Sequence, residues 1–329
     1  MSVLKTLSIA ALSACLSAAA FAQPQGDTYQ TDSLFGEKLH SEASASKNLT
    51  DAETFARVTA DAKAAYDAEI TPDTATWYGR VLSYQGYYKE AVDIYSKGIE
   101  KFPDSAKLRR HRAHRYFTLR QFDKSIEEGL RSAELYEGKP LEREKLGPDY
   151  FPSTPDVVQF YLYYHLGQAY FAKGEYSEAA KWFERSLDVS RWVNDAPGIT
   201  AGVYWTYISL GRAGEFDAAL ELLNGYDMAL AELSDNIESN YYFDGIQLFK
   251  GHREPGSFFS NVDTGKAFSN ASGTASSTAF TLANFYLFDG QREEAKEWFR
   301  RSINVDGWSY FARIQSEADW RDLYPGETP

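Results

Sequence analysis

Four times along this 329-residue chain an alanine stands five positions after a glycine and opens a helical pattern. Ala91 follows Gly86, Ala179 follows Gly174, Ala219 follows Gly214 and Ala295 follows Gly290. Three of these alanines have an aromatic residue four positions on (Tyr95, Phe183, Phe299), and three have a small residue twelve positions before (Gly79, Gly167, Ala283). The spacing reads as helix pairs joined by tight turns. The small residue in the first helix admits a close neighbour, the turn glycine takes a left-handed conformation that is cheap only for glycine, and the alanine and aromatic residue form the seam. Pro103, twelve after Ala91, stops a second helix. Such units bury their apolar faces only by stacking on one another.

The pattern resembles the 34-residue tetratricopeptide unit. On that register the units begin at Pro72, Ala106, Phe160, Thr200 and Ser276. The second is degenerate, with Ser125 and Gly129 at the alanine and aromatic positions, although its turn "QFDKSI" matches "EYSEAA" and "EFDAAL". A Pro-rich insert, 138–157, precedes the third unit and reads either as a lid over a groove or as a surface excursion. Residues 234–275 leave room for one more, degenerate helix pair, with 251–275 mostly loop. The resemblance implies an all-α, right-handed α-solenoid over 51–325, led by a lone helix. It ends in "SYFARIQSEADWRDL" as a capping helix with one polar, solvated side. The stretches "TATWYGRVLSYQGYYKEAVDIYSKGIEKFPDS", "NYYFDGIQLFKG" and "WSYFARIQSEADW" also resemble a group of bacterial exported or envelope tetratricopeptide proteins. That resemblance implies an envelope location and brings no activity with it.

The N-terminus reads as a targeting segment. "MSVLK" is a short basic leader, "TLSIAALSACLSAAAFA" is small and apolar, and Ala20-Phe21-Ala22 fits a signal-peptidase site, so 1–22 is expected to be removed. The expected location is periplasmic or secreted. The alternative is an outer-membrane lipoprotein, because Leu12-Ser13-Ala14-Cys15 resembles a lipobox that would place a lipid anchor on Cys15. Against it, the apolar "LSAAAFA" follows Cys15 where a lipoprotein turns polar. Residues 23–50 are polar and aperiodic and read as a disordered leader. No later stretch is apolar for 18 residues, so no membrane span is expected.

A formal charge of -13 disfavours nucleic acid as a partner. No metalloprotease, hydrolase-elbow, P-loop or dinucleotide motif occurs; Ser44-x-x-Lys47 lies in the leader. No enzyme activity, metal or cofactor is expected. His111 and His114 share a helix face, but Arg110, Arg112 and Arg115 flank them and repel a metal cation. The distinctive feature is the helix from Ser105 to Phe122, with six Lys/Arg and no acid. The repeat register aims Lys107, Arg110, His114 and Phe117 of this helix into the concave groove, with Arg80 beside them from the first unit. Tyr161, Tyr164, His165 and Gln168 follow from the third unit and Tyr204 from the fourth. The groove is therefore expected to run from a basic wall to an aromatic wall. A non-catalytic periplasmic scaffold that holds a peptide or protein segment there is the first reading. A module for a small anionic ligand or acidic glycan, held by Arg80, Arg110 and His114, is the second, and an enzyme with an unusual site under the 138–157 and 251–275 loops the third. Arg109 and Arg112 face neighbouring helices and are expected to pair with the chain's own acids.

Overall fold

A computed structural model describes residues 28–42, 52–144, 156–233, 237–258 and 273–329. A lone helix, α1 (Ala52–Ala68), leads into helix hairpins stacked side by side. These are α2 (Pro72–Tyr84) with α3 (Tyr88–Lys101), α4 (Ala106–Thr118) with α5 (Phe122–Tyr136), and α6 (Val158–Ala172) with α7 (Tyr176–Trp192). They continue with α8 (Ala196–Ala213) and α9 (Phe216–Asn224), then α11 (Gly273–Phe288) and α12 (Arg292–Ile303). Between the last two pairs lies α10 (Ile237–Phe249), followed by a 3-10 turn at Pro255–Phe258. A helix pair was expected there; one helix is described, and 259–272 lie outside the described residues. The final helix is α13 (Phe311–Leu323).

Local chemistry explains these elements. Thr71 caps α2 in a reciprocal box with Thr74, and Pro72 takes the first turn, where its missing N–H is harmless. Asp195 caps α8 by accepting from Gly198 N–H. The turn inside each hairpin is left-handed, at Gly86, Gly174, Gly214 and Gly290, but in the second hairpin the same position is Arg120, at φ 60°. The seam works by contact. A Cβ on Gly79 would lie 2.3 Å from the Tyr95 ring, and one on Gly167 would lie 2.7 Å from Phe183. In the degenerate second unit Gly129 replaces the aromatic residue because Leu166 of α6 fills its place. The largest core continues through stacked Phe183 and Trp205, 5.4 Å apart, to Phe171 and Phe280.

Two segments depart from expectation. The leader is not disordered throughout: Tyr29–Asp32 (β1) and Lys38–His40 (β2) pair antiparallel as a hairpin. It is held by partners far along the chain, which a local reading misses. Gln30 Oε1 accepts from Lys89 N–H at 2.9 Å, Thr31 donates to the Leu119 carbonyl at 2.9 Å, and Trp308 Nε1–H donates to the His40 carbonyl at 2.7 Å. Residues 1–27, with the expected signal segment and Cys15, and 43–51 lie outside the described residues. The second departure is α13, which does not cap the solenoid with a wet face. Nine successive residues, Ala312 to Trp320, are buried. The helix lies inside the superhelix, against α6, α11 and α12, and reaches α4 and α8 through its side chains. No described helix is long and apolar enough to cross a membrane.

Candidate functional site

The concave surface is the candidate site, and the chain fills it with its own residues. At the α2–α4 end the filler is Glu144, 1% exposed, from the first residues of the Pro-rich insert. The ends of that insert are pinned together by an Arg143–Val157 bridge and by Val158 N–H donating to the Glu142 carbonyl at 2.9 Å. Glu144 Oε1 lies 3.0 Å from Arg80 Nη1, 3.6 Å from Arg110 Nη1 and 2.8 Å from His111 Nε2. His111 Nδ1 lies 2.8 Å from Arg110 Nη1. These contacts fix a neutral imidazole that accepts from Arg110 and donates to Glu144. Burial alone would raise the Glu144 carboxyl, but Arg110, His111 and Arg80 overcome it and hold the group well below the usual carboxylate range. Lys107, also buried, pairs at 3.4 Å with both Asp73 and Glu142.

The middle of the surface is a stack of imidazoles. His114 and His165 lie face to face with centroids 3.8 Å apart, and the Phe311 ring of α13 meets both edge-on at 5.3 and 5.5 Å. Arg115 donates to His114 Nδ1 and lies over the Tyr88 ring at 5.3 Å. Burial and then the neighbouring guanidiniums push His111, His114 and His165 well below the usual histidine value, so all three are neutral near pH 7. Arg110 covers the half-buried Tyr161 ring at 5.0 Å. Phe117, fully buried, packs on Phe311 at 5.2 Å.

The far end is matched to α13 residue by residue. Gln315 Nε2–H donates to the Gln168 carbonyl at 2.8 Å and to its Oε1 at 2.7 Å. Glu317 binds Arg120 at 2.7 Å and accepts from Leu34 N–H at 3.3 Å. Asp319 binds Arg212 at 2.7 Å, and Arg313 reaches Glu37 at 2.8 Å, Glu317 at 3.3 Å and the Val305 carbonyl at 2.9 Å. Tyr164 and Tyr204 are tied to later helices, through Tyr242 at 2.7 Å and Thr281 at 2.6 Å. A cavity of about 590 Å³ lies beside this end, lined by Phe35, Glu37, Val305, Asp306, Arg313 and Pro329.

The ten residues expected to line the groove are therefore divided among three fillers. Arg80, Lys107 and Arg110 meet the insert's acids, with the half-buried Tyr161 ring under Arg110; His114, Phe117, Tyr164 and His165 surround or adjoin Phe311 and α10; Gln168 holds α13 and Tyr204 holds α11. None of them lines an open groove, because the groove's occupants belong to the same chain. Arg110 is 5% exposed, more buried than Arg109 and Arg112. Arg109 and Arg112 meet Glu128 at 3.1 and 2.7 Å. The sequence reading missed Glu144, Phe311, Gln315, Glu317 and Asp319. The available signals were the polar residues at inward positions, Arg120, Gln168 and Arg212, which require polar company. Among the described residues no group of three His, Cys, Asp or Glu could hold a metal ion.

Two stretches match family models described as tetratricopeptide repeat: residues 160–191, spanning α6 and α7, and residues 277–307, spanning α11 and α12. No curated protein matches the sequence. Among solved structures, similarity is found to a Podosopora anserina protein described as a kinesin light chain with nearly identical TPR-like repeats. It is 15% identical, covers 70% of this chain and 94% of that one, and has a TM-score of 0.40. The TPR domain of P58(IPK) is 12% identical over 86% of this chain and 97% of that one, with a TM-score of 0.25.

Proposed function

We propose that this chain, a tetratricopeptide-repeat protein, is a non-catalytic protein-interaction scaffold of the bacterial periplasm whose partner docks on its outer face. The concave surface holds the chain's own helix and glutamate, which leaves the outside for a partner. One observation carries the reading. In a chain with 51 aromatic residues (23 Tyr, 21 Phe, 7 Trp), the large hydrophobic residues exposed among those described are Leu141, Trp192, Phe216 and Leu220. Trp192, at the end of α7, is 83% exposed, and Phe216 and Leu220 lie one turn apart on α9 at 57% and 50%. Glu215, Asp217 and Glu221 are exposed around Phe216 and Leu220. Apolar anchors within an acidic rim suit a protein segment with apolar side chains flanked by Lys or Arg. The location rests on the signal-like first 22 residues.

The test is capture from periplasmic extract with the full chain and with a Trp192→Ser, Phe216→Ser, Leu220→Ser variant. The variant should lose the partner while its thermal midpoint stays put, as for surface changes generally. Equal capture by both proteins would sink the outer-face reading. Mass spectrometry of the mature chain should find Gln23 first; a lipidated Cys15 at the start would move the protein to a membrane surface.

A further inference from the structure

The interior between α2, α4 and α6 holds more cation than anion. Arg80 and Arg110 share Glu144 at 3.0 and 3.6 Å, while Arg115 meets an imidazole and the Tyr88 ring and, among the described residues, no carboxylate within 4 Å. Two guanidiniums thus share one carboxylate, and a third, Arg115, which acts on the same His165 as Arg110 and Glu144, adds a charge without a described counter-ion. Proton loss does not relieve the excess, because arginine stays charged in proteins. Nor do the neighbours supply negative charge. The three imidazoles are neutral, and burial pushes the Tyr95 phenol up to about 12. An uncompensated charge out of water is strongly disfavoured.

The cluster also has unused bonding capacity. Arg110 Nε–H, His165 Nδ1 and Glu144 Oε2 are buried and have no hydrogen-bond partner among the described residues. Arg110 and His165 are each 5% exposed, and Arg110, Arg115 and Glu144 all act electrostatically on His165. His114 Nδ1 accepts from Arg115, so its proton is on Nε2. Arg80 and Arg115 are only half-buried, which gives a small ion a way in.

We propose that this cluster binds one phosphate group. Arg115 and Arg110 Nε–H donate to its oxygens, with His165 Nδ1–H as a third donor, and Glu144 Oε2 accepts from the P–OH. An anion supplies the missing charge; a proton-bearing oxyanion also satisfies the orphaned carboxylate oxygen, which sulfate does not near pH 7. The site stands apart from the outer-face docking surface, and either can fail without the other.

The experiment uses the full chain, purified in phosphate-free buffer, with inorganic phosphate, sodium sulfate, sodium chloride and glycerol phosphate titrated at constant ionic strength. Thermal midpoint and phosphorus NMR line width are the readouts. Saturable stabilisation and line broadening by inorganic phosphate are expected, with sulfate at least tenfold weaker and chloride without effect. Binding of glycerol phosphate as well would assign the group to an esterified phosphate; binding of inorganic phosphate alone would assign the free ion. Arg115→Met should weaken binding at least tenfold, and Arg109→Ala should leave it unchanged. The proposal is overturned if the wild type shows no saturable response to phosphate, if sulfate or chloride matches it, or if folded Arg115→Met binds as the wild type does. Should Arg115→Met not fold, the wild-type titrations decide alone.

Discussion

Around α13, each buried arginine has an acid at ion-pair distance: Arg120 on Glu317, Arg212 on Asp319, and Arg313 on Glu37 and Glu317. Around Glu144, Arg80 and Arg110 share one carboxylate and Arg115 nearby has none, and several polar atoms have no partner among the described residues. The two ends of one concave surface are both closed by the chain itself, yet only one is electrostatically complete. The complete end behaves as a core that happens to be polar. Unpartnered buried atoms occur at both ends among the described residues, Gln168 Nε2, Gln315 Oε1 and Asp319 Oδ2 at the α13 end included, so what separates the ends is charge.

The contrast can be broken at several places. The largest effect is expected from Glu317→Ala at the matched end. It strands Arg120 in the interior, while Arg313 keeps Glu37, and should cost about 3–5 kcal/mol, read as a fall in the urea midpoint. A loss under 1 kcal/mol would mean that the pairing there contributes nothing special. Acid should come next, and it acts on the other end. His111, His114 and His165 are held neutral, so their folded values lie below the unfolded value near 6.5. The unfolded chain therefore takes up more protons as pH falls. Stability is full above that value and declines below it, by up to about 4 kcal/mol one unit lower if all three titrate. Glu144, also depressed, adds its loss at still lower pH. Asp319, raised by burial despite Arg212, works in the opposite sense. Denaturant midpoints from pH 7.5 to 5.5 check this; a flat profile would contradict the neutral stack. A smaller effect is expected from Arg115→Met in anion-free buffer. It breaks no ion pair, so stability should stay within about 1 kcal/mol of wild type or rise. Arg109→Ala should matter least. Arg112 keeps Glu128 at 2.7 Å, and the change should cost less than about 1 kcal/mol by thermal melting.

What was legible in the sequence was whatever the chain decides within one hairpin. The turn positions, the Gly79–Tyr95 and Gly167–Phe183 contacts and the Thr71 cap all lie within about one repeat of their partners. Arg120 marks the limit. A non-glycine in the left-handed turn is visible as an oddity in the register, but its reason is Glu317, 197 residues away. The hairpin at 28–42 was illegible for the same cause, since Gln30 and Thr31 find their partners on α3 and after α4. The site suffered most. Helical register gives the direction of Arg110 or Gln168 but not what stands opposite, and here the opposite party is Glu144 or Gln315. The alternating polar residues of α13 look like a solvated face until each is given its partner.

The interlock between the hairpin and α13 also sets a schedule. Leu34 and Glu37 near one end of the chain bind Glu317 and Arg313 near the other, and Trp308 closes on His40. The repeats emerge first with Arg120 and Arg212 still lacking their acids, and the last twenty or so residues bring both. A nascent chain is therefore unable to settle before its whole length is available, which delays the decisive collapse until after synthesis and keeps the polypeptide threadable. For a chain exported as proposed above, lateness of folding is a useful property, and here it is written into the last helix.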